Sequence, residues 1–115
     1  MDAAYIVIAI VTAAANGGIA VADLRRARFV LANSTAVGVP PSWLTPLAAL
    51  KGAGAVGIVL GLAGIAPLDT AAALGLMLFF AGAVIAHVRA RNYALAFPLA
   101  YLGLAAATFV LSLAR

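Results

Sequence analysis

Cysteine and glutamate are both absent from this 115-residue sequence, histidine occurs once, and only 9% of the residues carry a charge. Without cysteine there is no disulfide, no thiolate metal ligand and no dithiol relay, and a single His87 excludes a multi-histidine metal centre. The acids are Asp2, Asp23 and Asp69 alone, against seven Lys and Arg, for a formal net charge of +4. Those cations are scattered through apolar sequence with no basic stripe, which argues against nucleic acid and for anionic lipid headgroups as the partner. What fills the chain instead is apolar: 67% of it is hydrophobic and its mean hydropathy is +1.20. A chain this short buries only part of its surface, so a soluble monomer of this composition would expose large apolar patches. A soluble monomer is therefore excluded, and the bilayer is the solvent.

A lipid-spanning helix needs about 20 mostly apolar residues, because the hydrocarbon core is roughly 30 Å thick and each helical residue rises about 1.5 Å. Four segments meet this requirement, at residues 3–22, 46–64, 68–88 and 97–114. Thr45 before Pro46 reads as an N-cap followed by proline at the first helical position. Gly64, Pro67 and Asp69 make a short turn between the second and third spans, with Asp69 as a cap, which makes those helices antiparallel neighbours. The expected fold is an all-α, polytopic four-helix transmembrane bundle in one domain.

The first span differs from a cleavable signal peptide because only Asp2 precedes it, whereas its arginines follow. Arg25, Arg26 and Arg28 come after span one and Arg89 and Arg91 after span three, while the turn between spans two and three has no Lys or Arg. The positive-inside rule makes both basic loops cytoplasmic and turns both termini outward, with Arg115 as a single opposing charge. In the first loop, Leu24, Ala27, Val30 and Leu31 share one helical arc opposite Arg25, Arg26 and Arg28, an interfacial amphipathic pattern. Gly38, Pro40 and Pro41 then break the helix, and Trp43 suits the headgroup zone.

Polar groups within the spans are few, and each is costly in hydrocarbon, so they are the candidates for function. Lys51 shares a helix face with Gly54, Ile58 and Gly61; its ammonium either faces the bundle interior or snorkels to the headgroups. Asn16 and Asp23 lie seven residues apart on one face of span one, with Thr12 a turn above, and bracket Lys51 in depth. Asp23 pairs with Lys51 or with a loop arginine. His87 ends span three on a face with Phe80 and Ala83. Tyr101 heads a stripe with Ala105, Thr108 and Ser112 on span four. The convergent set Asn16, Asp23, Lys51, His87 and Tyr101 is the expected ligand-binding layer; no catalytic or metal residues are assigned. Gly57 and Gly61, with Ala53 and Gly64 nearby, form small-residue pairs for close helix approach, and Ala71, Gly75, Gly82 and Ala86 repeat the pattern in span three. Packing within the bundle and a lipid-facing dimer seam are the two uses of such pairs.

The stretch Arg25-Arg26-Ala27-Arg28-Phe29, the run Val39-Pro40-Pro41-Ser42-Trp43-Leu44, the segment Leu50-Lys51-Gly52-Ala53-Gly54 and the tail His87-Val88-Arg89-Ala90-Arg91 together resemble the DoxX-like family of small bacterial four-helix membrane proteins, over essentially the whole chain. The resemblance implies a multi-pass protein of the bacterial cytoplasmic membrane. It also implies a link to quinone-dependent sulfur oxidation or membrane-bound detoxification, since one relative is described as a small subunit of a thiosulfate:quinone oxidoreductase. It carries no catalytic residues onto this sequence. A redox role requires a bound quinone or a partner redox subunit, because the residues supply no electron carrier of their own.

The expected function is accordingly a membrane-embedded binding or accessory subunit, not an enzyme on its own, holding a quinone, a lipid or another small hydrophobic molecule near the cytoplasmic leaflet. It acts as a homo-oligomer or with a partner subunit. Two other readings stand beside it: a small four-helix transporter, for which the buried acid in the middle of the first span is missing, and a tetraspan isomerase or epoxide-type enzyme using His87 or Asp23 as acid and base.

Overall fold

A computed structural model describes residues 2–114, the side chains of Asn33 and Pro41 aside; Arg115, the one charge opposing the expected orientation, lies outside the described residues. The chain is helical throughout its ordered elements: α1 (Ala3–Leu24), α2 (Arg28–Ala36), a 3-10 turn (Pro41–Trp43), α3 (Leu44–Leu62), α4 (Leu68–Arg89) and α5 (Ala96–Ala114). Four of these, α1, α3, α4 and α5, are long and apolar enough to cross a membrane. At 22 residues α1 and α4 reach about 33 Å, enough for the hydrocarbon core.

The four long helices close into a ring in which α1 packs on α3 and α5, and α4 packs on α3 and α5. Contacts between the ends establish an up-and-down course. Tyr5 of α1 meets Asp69 of α4, and Thr70 of α4 meets Ser112 of α5, so the termini and the α3–α4 turn share one end, the turn end. Asp23 of α1 meets Lys51 of α3 at the opposite end, where the arginine-bearing connections lie. We call this the basic end.

Helix boundaries follow local chemistry, with three departures from expectation. Asp2 caps α1, its carboxylate accepting from the Tyr5 amide at 2.8 Å. Helix α3 begins at Leu44, not after Thr45, because the 3-10 turn runs straight into it and the Pro40 carbonyl already accepts the Trp43 amide at 3.0 Å; Thr45 is exposed inside the first turn and caps nothing. Helix α4 begins at Leu68, so Asp69 is its second residue rather than its cap. The carboxylate favours the positive helix end from there and accepts a hydrogen bond from the Tyr5 hydroxyl. Leu24 belongs to α1, and Arg26 takes a left-handed backbone (φ 51°) at the break, so the amphipathic helix begins only at Arg28. Its apolar side is as expected: Val30 is buried against Ile19 and Leu44, with Ala27 and Leu31 alongside, while Arg25, Arg26 and Arg28 are exposed.

Glycine sets the geometry of one seam. A β-carbon at Gly57 would stand 2.7 Å from the Ala72 β-carbon, one at Gly54 would stand 2.7 Å from Leu76, and one at Gly61 would overlap Asp69, including its backbone nitrogen. These three glycines let α3 and α4 touch near the turn end. The matching stripe expected on α4 is not used this way. Gly75 and Gly82 are exposed with open space where a side chain would go, and Ala53 and Ala71 are exposed too, because α4 turns its Asp69, Ala72 and Leu76 face to α3 instead. Gly64 serves the turn, with φ at 112°, a conformation that glycine adopts freely.

The candidate ligand cavity at the basic end

The buried stripe of α3 runs through Leu44, Ala48, Lys51, Ala55 and Ile58, at alternating offsets of four and three. Lys51 thus sits on the core-facing line of its helix, and its stem is directed inward before the ammonium is considered. Helix α1 presents an equivalent line of Tyr5, Ala9, Thr12, Asn16, Ile19 and Asp23. Where the two lines meet, the Lys51 ammonium and the Asp23 carboxylate form an ion pair, their side chains only 9% and 3% exposed. The ammonium also lies 5.5 Å from the centre of the Phe79 ring. Removing each charge from water costs several kcal/mol, and their mutual attraction is what opposes that cost. Lys51 does not snorkel.

Beside this pair is a cavity of about 500 Å³, within the range of small-molecule sites. All five helices line it. Its wall is mainly apolar and includes five aromatic side chains, Phe29, Trp43, Phe79, Phe80 and Phe97; Asp23, Lys51, His87 and Ser34 interrupt it. His87 is buried, with Nδ1 at 2.7 Å from the Ala83 carbonyl oxygen. A carbonyl only accepts, so Nδ1 carries the proton and donates it there. Ser34 donates to the Val30 carbonyl at 2.9 Å within α2, so that its hydroxyl is turned back on its own helix.

Three of the five expected residues, Asp23, Lys51 and His87, line this cavity; Asn16 and Tyr101 do not. Tyr101 stacks on Phe97 at 4.6 Å and lies 5.1 Å from Phe80, backing two of the aromatic walls, and its hydroxyl donates to the Ala15 carbonyl at 3.2 Å. Asn16 is fully buried and donates to the Thr12 carbonyl at 2.9 Å; its side-chain oxygen has no hydrogen-bond partner among the described residues. Thr12 and Thr108 pair at 2.8 Å and tie α1 to α5 through the Leu104 carbonyl, so the polar stripe of α5 is a packing feature.

Two features were not anticipated. The aromatic walls come from four separate segments, and no sequence spacing joins them. Asp69, fully buried, is held by the Tyr5 hydroxyl at the turn end, beside the 2.8 Å Thr70–Ser112 contact. Tyr5 was detectable in principle, since it continues the Thr12, Asn16 and Asp23 line; its partner sits on a helix that sequence order does not place opposite.

Four apolar spanning helices around a mostly buried polar core define a small multi-pass integral membrane protein. The chain belongs to the DoxX-like family, whose sequence model matches residues 7–108, a stretch that takes in all of the cavity-lining residues. No curated protein and no solved structure matches it.

Proposed function

We propose that this protein is a membrane-embedded binding or accessory subunit whose basic-end cavity holds a small amphipathic molecule, a quinone or a lipid. The observation that carries this reading is the cavity itself: about 500 Å³, aromatic-walled, with the Lys51–Asp23 pair and His87 as its principal polar features. Planar rings suit such walls, and the Lys51 ammonium has donors beyond the one facing Asp23, which suits a carbonyl or other acceptor. Because the ion pair is neutral as a unit, a neutral polar head is accommodated without an uncompensated charge. A bound quinone would supply two-electron, two-proton chemistry. The residues of this chain would hold and orient it: aromatic walls exclude water, while Lys51 and His87 stand where a proton or a hydrogen bond is needed. Electrons would then come from a partner redox subunit.

The same reading places the protein in the bacterial cytoplasmic membrane with its basic end on the cytoplasmic side, following the five arginines of the two connections.

Trp43 is the single tryptophan and lines the cavity, so it reports occupancy directly. Titrating decylubiquinone into nanodisc-held protein is expected to quench Trp43 in a saturable way, above the linear collisional background. Mass spectrometry of gently purified protein is expected to find a quinone or lipid retained at a fixed ratio. Linear quenching with no retained molecule overturns the proposal.

A further inference from the structure

Helices α3 and α4 make a V. Near the turn end they touch through Gly61, Gly57 and Gly54 against Asp69, Ala72 and Leu76, and the atoms opposite each glycine step outward from the α4 backbone: the nitrogen and β-carbon of Asp69, then the β-carbon of Ala72, then the γ- and δ-carbons of Leu76. Beyond Gly54 the seam opens, and the cavity occupies the gap. Part of the cavity wall here faces outward. Leu50 of α3 is 59% exposed and Leu78 of α4 is 67% exposed, while exposed Gly82, one turn beyond Leu78, has open space in front of it. In a spanning helix, such outward apolar positions face lipid hydrocarbon.

The aqueous side differs. There α2 and the following segment lie over the cavity with Phe29, Val30, Val37, Val39 and Trp43, and Val30 is pinned against Ile19 and Leu44. Arg25, Arg26, Arg28, Arg89 and Arg91 are all exposed, yet none lines the cavity. A water-borne solute thus meets a cover whose one polar lining side chain, Ser34, is turned back on the Val30 carbonyl, whereas a molecule dissolved in the bilayer meets a gap lined like its own surroundings.

We infer that the cavity is loaded sideways from the bilayer, through the opening between α3 and α4 bounded by Leu50, Leu78 and Gly82, and that its occupant carries a long apolar chain. The polar head lies at Lys51 and His87, and the chain leaves between the two helices into the surrounding leaflet. Gly82 is the sill of this opening: its missing side chain keeps the gap clear. The inference rests on the proposed binding role, but specifies a ligand class and an entry route that the role alone does not.

The test uses two probes with the same ring, decylubiquinone with its ten-carbon chain and chainless ubiquinone-0, read by Trp43 quenching in nanodiscs. A β-carbon at Gly82 has nothing within 4 Å, so Gly82→Phe starts from open space at the sill, and Gly75→Phe, equally open at its β-carbon but outside the cavity, is the control. Circular dichroism and thermal unfolding verify that both variants fold as the parent does. In Gly82→Phe the affinity for decylubiquinone is expected to fall about tenfold or more, with Gly75→Phe changed by less than about twofold. Ubiquinone-0 is expected to bind more weakly than decylubiquinone to the parent and to respond less to Gly82→Phe. Saturable binding that ignores Gly82→Phe, or equal binding of the two probes, overturns the lateral route while leaving the binding role intact. No saturable quenching by either probe in the parent protein, with no quinone or lipid retained on gentle purification, overturns both.

Discussion

Lys51 and Asp23, from α3 and α1, neutralise each other inside the bundle, and each is less than a tenth exposed. The pair joins two helices at the basic end and forms part of the cavity wall. Deleting one partner leaves the other charge buried without compensation, whereas deleting both removes the desolvation cost along with the attraction. Lys51→Met alone is expected to destabilise the protein by about 3–5 kcal/mol, and the double variant Lys51→Met, Asp23→Leu by much less. Thermal unfolding in mild detergent measures both; a double variant as unstable as the sum of its singles contradicts the buried pair.

The α3–α4 seam depends on glycines that admit nothing larger. Gly57→Leu is expected to cost about 1–3 kcal/mol by forcing the helices apart against Ala72, and Gly61→Ala to be at least as harmful because Asp69 backbone lies opposite. Gly75→Leu, facing open space, is expected to be neutral or slightly stabilising. Unchanged midpoints for Gly57→Leu and Gly61→Ala would move this seam to the lipid-facing surface.

At the turn end Tyr5→Phe removes the hydroxyl donated to Asp69, at an expected cost of about 1–3 kcal/mol for a buried acceptor losing a donor. A double-mutant cycle with Asp69→Asn should show a coupling of about 0.5–3 kcal/mol. Additive effects mean that the two side chains do not depend on one another.

Orientation is tested by reporter fusions at residues 1 and 115. Both are expected to score periplasmic, with the connections around Arg26 and Arg89 protected on the cytoplasmic side. Cytoplasmic scores at both ends reverse the assignment and move the cavity to the outer leaflet.

Composition and run length alone determine the four spans, the all-helical class and the position of the basic connections, because the cost of burying charge or open backbone in hydrocarbon leaves few other folds. Residue spacing likewise put Asn16 and Asp23 on one line of α1 and Lys51 on the glycine face of α3, since helical periodicity is a local property. Which lines face each other is not local. Only tertiary packing decided that Lys51 turns to Asp23 instead of the headgroups, that Tyr101 backs the cavity wall while His87 enters the cavity, and that Asp69 is buried against Tyr5 rather than capping its helix. The aromatic walls were equally hidden, because Phe29, Trp43, Phe79 and Phe97 come together only when four segments close around one space. In a chain this apolar, hydrophobic pattern marks what enters the membrane but not which faces turn inward, since lipid and core reward the same side chains; the glycine contacts and the few polar pairs make that choice.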